Sequence, residues 1–113
     1  MDLYGSLLYL QNPYSFTFDI FTGALPNTLY TSNVVTITGF LSSIEVYVST
    51  GEYSINGGLW SGAGQTGTIQ SGDSLQLRIL SSWEPSLTNE IIVTVGNYST
   101  TFGVTTMDSE LAE

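Results

Sequence analysis

The chain has 113 residues, of which 42% are hydrophobic and 10% charged, and its ten acidic side chains face one cation, Arg78, for a formal net charge of -9. Without further Lys or Arg it cannot neutralise a phosphate backbone, so we expect no nucleic-acid partner and no anionic membrane surface. The absence of Cys excludes disulfides, thiolate nucleophiles and Cys-ligated metals, and the length fits one domain.

The first ten residues, MDLYGSLLYL, are the most apolar segment of the chain. They do not resemble a secretory signal, because Asp2 stands where a basic region belongs and Gly5 and Ser6 interrupt the apolar run. The run is also shorter than the roughly 20 apolar residues that span a bilayer. We therefore treat residues 1–12 as a docking arm.

The arm carries six large apolar or aromatic side chains whose burial would stabilise a contact by roughly 1.5–3 kcal/mol each. The predicted partner-binding residues of the arm are Leu3, Tyr4, Leu7, Leu8, Tyr9 and Leu10. Two placements are open. The arm adds an edge strand to its own sandwich, or it extends the sheet or fills a groove of a neighbouring subunit.

From residue 13 to residue 106, apolar and polar residues alternate in short blocks, and no helical period persists. Alternation with a period of two places one face of each strand in a shared core. We predict seven strands, with core residues Tyr14, Phe16, Phe18 and Ile20; Val35 and Ile37; Ile44, Val46 and Val48; Tyr53 and Ile55; Leu75, Leu77 and Ile79; Ile91, Val93 and Val95; and Tyr98, Phe102 and Val104.

Turn signals separate these blocks. Gly96-Asn97 has the composition of a two-residue hairpin, and STGEY and INGG supply Gly and Asn where the chain must reverse. Short strands with regular turns favour an all-β, immunoglobulin-like β-sandwich. The predicted organisation is thus an arm (1–12), a sandwich (13–106) and an acidic C-terminal tail (107–113).

Three stretches are more specific than this pattern: NTLYTSNVVTITGF (27–40), GEYSINGG (51–58) and GTIQSGDSLQLRILSS (67–82), followed by FGVTT ending at residue 106. Together they resemble the Ig-like repeat of bacterial surface proteins, which also occurs in phage structural proteins. The resemblance implies a β-sandwich that spaces, decorates or adheres without catalysis. The chain departs from the tandem pattern because it holds a single copy, flanked by the apolar arm and the acidic tail.

Three aromatic residues are further candidates for partner binding. Trp60 and Trp83 stand in loop-like surroundings, where they either cap an end of the core or anchor an interface. Tyr47 follows Val46 in a predicted strand, so the alternation points its ring outward.

Neither a catalytic nor a cofactor or metal site is expected. The carboxylates are scattered singly, without the paired spacing that glycoside hydrolysis requires or the clustered oxygen ligands of a calcium site. Asp73 is expected to accept backbone hydrogen bonds in a turn. The tail, with Asp108, Glu110 and Glu113, either remains solvated or docks on a basic surface.

The predicted function is a non-enzymatic structural protein on the surface of a phage particle, most simply one that decorates or cements the capsid. Its partner would be the major capsid protein or another virion protein, with the chain itself forming a homo-oligomer or binding to a lattice. Placement in the tail or neck is open. The alternative is a tail or bacterial surface adhesin that binds host glycan or a protein receptor through Trp60, Trp83 or Tyr47.

Overall fold

The computed structural model describes residues 12–109, and these residues form an all-β structure, as predicted. The strands are β1 (Phe21–Ala24), β2 (Leu29–Thr31), β3 (Val35–Thr36), β4 (Ile44–Val48), β5 (Glu52–Ile55), β6 (Trp60–Gly62), β7 (Gly67–Ile69), β8 (Ser74–Leu80), β9 (Thr88–Val95) and β10 (Tyr98–Thr106).

The strands form two five-stranded sheets. In the first sheet the order is β1-β10-β9-β4-β7, and in the second it is β2-β8-β5-β6, with β3 also paired to β8. Every pairing is antiparallel except that of β1 with β10, which run parallel. This arrangement is consistent with a β-sandwich.

The core lies where the inward faces of both sheets meet. The longer strands bury the alternating residues expected of them, such as Val46 in β4, Leu77 in β8 and Val93 in β9, all 0% exposed. Phe102 in β10 adds the largest fully buried ring. Burial of one apolar face on each strand is the main source of stability, because folding removes that surface from water.

The segment of residues 13–20, predicted as a strand, is not one; we call it the anchor segment. It bonds to the loop after β3 and to β10: the Tyr14 N–H donates to the carbonyl of Thr38 (2.8 Å), and the hydroxyl of Tyr98 donates to the carbonyl of Phe16 (2.7 Å). Phe16 and Phe18 are buried. The anchor segment therefore packs against the core without joining either ladder.

Two predicted core residues of the anchor segment are in fact on the surface: Tyr14 is 71% exposed and Ile20 is 67% exposed. A strand must be paired to hold strict alternation, and this segment has few backbone partners. Without a paired ladder, the segment buries the side chains of Phe16 and Phe18 and leaves those of Tyr14 and Ile20 on the surface. The prediction for Tyr14 and Ile20 was wrong for that reason.

Four observed strands were not predicted: β1, β2, β6 and β7. Each has three or four residues, too few for an alternation to be recognised. Strands β6 and β7 lie in the glycine-rich stretch between residues 56 and 74, where no strand was predicted. Their backbone is held by longer neighbours, as Glu52 in β5 pairs with Gly62 in β6. Because the paired residues are separated in the sequence, a local pattern does not predict these short strands.

The predicted hairpin at Gly96-Asn97 is confirmed, since Val95 pairs directly with Tyr98. Gly96 has a φ of 62°, whereas Asn97 is not in the left-handed region, which is the type II′ pattern with glycine first. The turn at Asn56-Gly57 has positive φ at both residues, 53° and 69°, which is the type I′ pattern.

The described chain enters and leaves the sandwich at opposite ends. At one end, the side-chain oxygen of Asn12 accepts a hydrogen bond from the N–H of Asn97 (3.0 Å), next to the start of β10. At the other end, beyond the last residue of β10, the N–H of Met107 donates to the carbonyl of Ala24 (2.9 Å). The nine residues of β10 separate these ends by about 30 Å.

Candidate functional site

The arm was expected to carry the principal partner contacts, but Leu3, Tyr4, Leu7, Leu8, Tyr9 and Leu10 lie outside the described residues. Of the arm, the structure describes Asn12. Asn12 bonds to Asn97, and Pro13 is buried directly after it. Asn12 is therefore held at a fixed point beside the β9–β10 hairpin.

The anchor segment holds this point through aromatic packing. The Phe16 ring lies 4.9 Å from the Tyr98 ring and 6.0 Å from the Phe18 ring, while Phe18 lies 6.5 Å from Phe102, all measured between centroids. Tilted and edge-on contacts of this kind add roughly 0.5–1.5 kcal/mol each beyond burial. The anchor segment is thereby packed against Tyr98 and Phe102 of β10.

Tyr47 lies on the outward face of the first sheet, as the alternation predicted, and is 45% exposed. In the ladder it is opposite Thr94 of β9. Ile92, two residues earlier on β9, is similarly exposed, so the two side chains are diagonal neighbours. They form a small apolar area on an otherwise Thr- and Ser-rich face.

Trp60 does not lie in a loop; it begins β6 and lies on the outward face of the second sheet, opposite Ser54 of β5. The guanidinium of Arg78 stacks over its ring at 4.2 Å from the centroid, and the Nε of Arg78 also bonds to Glu52 Oε1 at 2.7 Å. One face of the half-buried ring is thus occupied by the chain's single cationic side chain. The expectation that Trp60 caps the core is wrong.

Trp83 lies in the loop between β8 and β9 and is 74% exposed, so it does not cap the core either. Its loop is nevertheless fixed by hydrogen bonds. The Ser82 carbonyl accepts the N–H of Asn27 (3.0 Å), and the Glu84 carbonyl accepts the hydroxyl of Thr106 (2.6 Å). A large aromatic side chain is therefore displayed on an ordered loop.

The three aromatic candidates are not brought together. Tyr47 is on the outer face of the first sheet, Trp60 on that of the second, and Trp83 at the end where β10 terminates. A sugar-binding cleft formed jointly by the three is excluded by this placement. The sequence alone does not show this separation of the three residues, because the sheet that each strand joins depends on partners distant in the sequence.

The described residues form clefts at the surface, of which two are considered for chemistry. A groove of about 370 Å³ between the sheets is lined by Thr50, Gly51, Ile79, Leu80, Asn89 and Glu90. A cleft of about 260 Å³ beside the β9–β10 hairpin is lined by Ser43, Ile44, Glu45, Gly96 and Asn97. The lining of each contains one carboxylate, so neither of these two linings holds the pair of carboxylates that glycoside hydrolysis uses.

Asp73 occupies the turn predicted for it. Its carboxylate accepts hydrogen bonds from the Asn56 amide (3.0 Å) and from the backbone N–H of Gln70 (2.9 Å). These two bonds, that of Asn56 first, hold the pKa of Asp73 below its ordinary value. The contacts tie the β5–β6 turn to the start of β8, which is a structural role.

Within residues 12–109, no three of the Asp and Glu side chains are grouped in a way that would hold a metal ion. That part of the chain also has no helix long and apolar enough to cross a membrane.

In comparisons with known proteins, no family model, no curated protein and no solved structure matches this chain. The likeness of residues 13–106 to the Ig-like repeat therefore stays a prediction.

Proposed function

We propose that this protein is a non-enzymatic structural protein of a phage particle, which decorates the capsid and attaches through residues 1–12. The observation that carries the proposal is the way the arm joins the sandwich. Asn12, the last residue of the arm, is bonded to Asn97, and Phe16 and Phe18, four and six residues later, are buried in the core, so the end of the arm is fixed to one end of the sandwich.

This geometry suits attachment. If the arm is held by a particle, the sandwich projects from it by about 30 Å along β10. The apolar side chains of the arm would provide the contact area, and burial of Phe16 and Phe18 keeps the anchor segment packed on the sandwich. Neither role needs a catalytic group.

The strand order supports the Ig-like topology that the sequence resemblance implies. In immunoglobulin-like sandwiches, strands C, F and G share one sheet, and strands B, E and D share the other. Here β4, β9 and β10 are neighbours in the first sheet, and β2 with β3, β8 and β5 are neighbours in the second. The short strands β6 and β7 would be additions between strands D and E.

The charge supports a protein present in many copies. A net charge of -9 makes copies repel one another in solution, which favours solubility before assembly. On a particle, weak contacts by many copies, or within a homo-oligomer, add up through effective concentration. The partner of the arm would be the major capsid protein or another virion protein.

The test compares two arm variants with the natural chain. In the first, Leu3, Leu7, Leu8 and Leu10 are replaced by Ser; in the matched control, Asp2 and Gln11 are replaced by Asn and Ser. We expect both to keep the circular dichroism spectrum and unfolding midpoint of the natural chain, and only the control to load onto phage particles. Normal loading of the leucine variant would overturn the attachment.

Copy number then distinguishes the site on the particle. Quantitative proteomics on fractionated particles would give hundreds of copies for a capsid protein and a handful for a tail or neck protein. Absence of the protein from purified particles would overturn the virion proposal as a whole.

A further inference from the structure

We propose that the end of the sandwich opposite Asn12 is a docking surface for a second protein, one that presents an apolar pocket rimmed by Lys or Arg. We call this surface the distal patch. It consists of the side chains of Leu25, Trp83 and Leu87, flanked by the carboxylates of Glu84 and Asp108. The inference does not depend on the virion proposal.

Separate segments of the chain meet at the distal patch. The hydroxyl of Ser81 donates to the carbonyl of Leu25 (2.6 Å), which joins the β8–β9 loop to the end of β1. The Leu87 N–H donates to the hydroxyl of Thr106 (3.0 Å), which joins the same loop to the end of β10. The residues of the distal patch, although far apart in sequence, are therefore held at one end.

The apolar side chains of the distal patch are exposed on ordered segments. Trp83 is 74% exposed, Leu25 is 54% and Leu87 is 47%. Leu25 follows β1, and Trp83 and Leu87 lie in the β8–β9 loop; hydrogen bonds hold both segments, and exposing these side chains does not stabilise the isolated fold. Exposed apolar groups surrounded by polar ones mark interaction sites, and tryptophan is the residue most enriched among binding hot spots.

The charges around the distal patch select the partner. Glu84 follows Trp83 in the β8–β9 loop and Asp108 lies two residues beyond β10, and both are exposed. The hydroxyl of Ser86 bonds to Asp108 and orients its carboxylate beside the loop. No lysine or arginine is nearby, because Arg78 is engaged with Glu52 and Trp60 on the outer face of the second sheet.

A second copy of this chain is a poor partner for such a surface. It would bring a net charge of -9 and, as its one cationic side chain, an arginine already paired. Like charges facing each other across an interface oppose association, whereas a basic rim would neutralise the acidic residues and accelerate encounter. The charges therefore point to a partner of different sequence and opposite sign.

The test uses Trp83 as its own reporter. The chain has two tryptophans, so Trp60→Phe leaves Trp83 as the sole source of tryptophan fluorescence while keeping a ring beneath Arg78. The probe is a short peptide of alternating Leu and Lys, with a Leu and Glu peptide of equal length as its control. We expect the basic peptide to shift Trp83 emission to shorter wavelength, and the acidic peptide to leave it unchanged.

Calorimetry of the same peptide separates specific docking from general attraction to an acidic protein. Trp83→Ala should weaken binding at least about tenfold. The matched control, Leu59→Ala, removes an exposed apolar side chain between β5 and β6 and should leave the affinity unchanged. Glu84→Gln should reduce both the affinity and its dependence on salt.

Four results would overturn the inference. Equal binding by the Trp83→Ala and Leu59→Ala variants, or an unshifted Trp83 emission, would mean that the distal patch does not bind the peptide. Self-association in sedimentation experiments that Trp83→Ala abolishes would make a second copy the occupant. An emission shift caused by neutral oligosaccharides but not by the peptide would make the surface a glycan site.

Discussion

Gly51 and Gly57 have the same φ angle but different surroundings. Alanine at each position therefore allows the cost of a steric clash at Gly51 to be measured separately from the cost of backbone strain. Gly51 and Gly57 both have a φ of +69°. A Cβ at Gly57 would meet no atom within 4 Å, whereas a Cβ at Gly51 would lie 2.6 Å from Ile91 Cδ1 and 2.7 Å from the carbonyl oxygen of Arg78.

Alanine at either position must adopt the left-handed conformation, which costs an L-residue roughly 1–2 kcal/mol. Gly57→Ala should therefore reduce the free energy of unfolding by about that amount. Gly51→Ala carries the same strain plus an overpacking cost of typically 1–3 kcal/mol, because the Arg78 carbonyl belongs to the β8 backbone and cannot rotate away. The total for Gly51→Ala is about 2–5 kcal/mol, a large share of the ~5–15 kcal/mol of a typical domain.

Urea denaturation followed by circular dichroism measures both losses, with an unchanged dependence on denaturant expected for each variant. The difference between them isolates the clash, since the angle is common to both. Equal losses for the two variants would refute the reasoning, because they would show that the chain around Gly51 relaxes at no cost.

Three further predictions concern the anchor segment and the Asp73 turn. Phe18→Ala should cost about 3–5 kcal/mol in urea denaturation through loss of buried ring contacts, whereas Ile20→Thr, at a surface position, should stay within about 0.5 kcal/mol; similar losses would contradict the assigned burial. Tyr98→Phe should cost about 1 kcal/mol, because its hydroxyl bonds to the backbone of the anchor segment; an unchanged unfolding midpoint would show that this bond is replaced by water. Since hydrogen bonds hold the pKa of Asp73 below 3.8, its ionised form stabilises the fold above that pH, and the contribution is lost as the pH falls through the lowered pKa. Carboxyl NMR titration should show the pKa of Asp73 rising toward 3.8 in Asn56→Gly. An unchanged pKa would show that the hydrogen bond from Asn56 does not lower it.

The all-β class and most of the core could be read from the sequence because alternation is a local property. In β8 and β9, every second side chain is buried as the pattern requires, for example Leu77 and Val93. The hairpin at Gly96-Asn97 was equally accessible, since two residues of suitable conformational freedom define the turn. Tyr47 was correctly placed outward for the same reason.

The candidate surfaces were much less predictable. Trp60 was expected in a loop, yet it lies in a strand with Arg78, 18 positions later in the sequence, stacked over its ring. Leu25 and Leu87 were not singled out at all, although the fold places them with Trp83. Each surface is assembled from segments that meet through long-range pairing, and no local pattern encodes those meetings.

What the sequence by itself determined is the set of strands long enough to alternate, the turns that join them, and a composition without Cys, His or Lys. The tertiary structure alone decided that residues 13–20 anchor rather than pair, that short strands complete both sheets, and that Asn12 and the distal patch lie at opposite ends. The physical reason is the sequence separation over which each interaction acts. Alternation and turn geometry depend on residues that are neighbours along the chain. Sheet order, by contrast, is set by hydrogen bonds and burial between residues tens of positions apart.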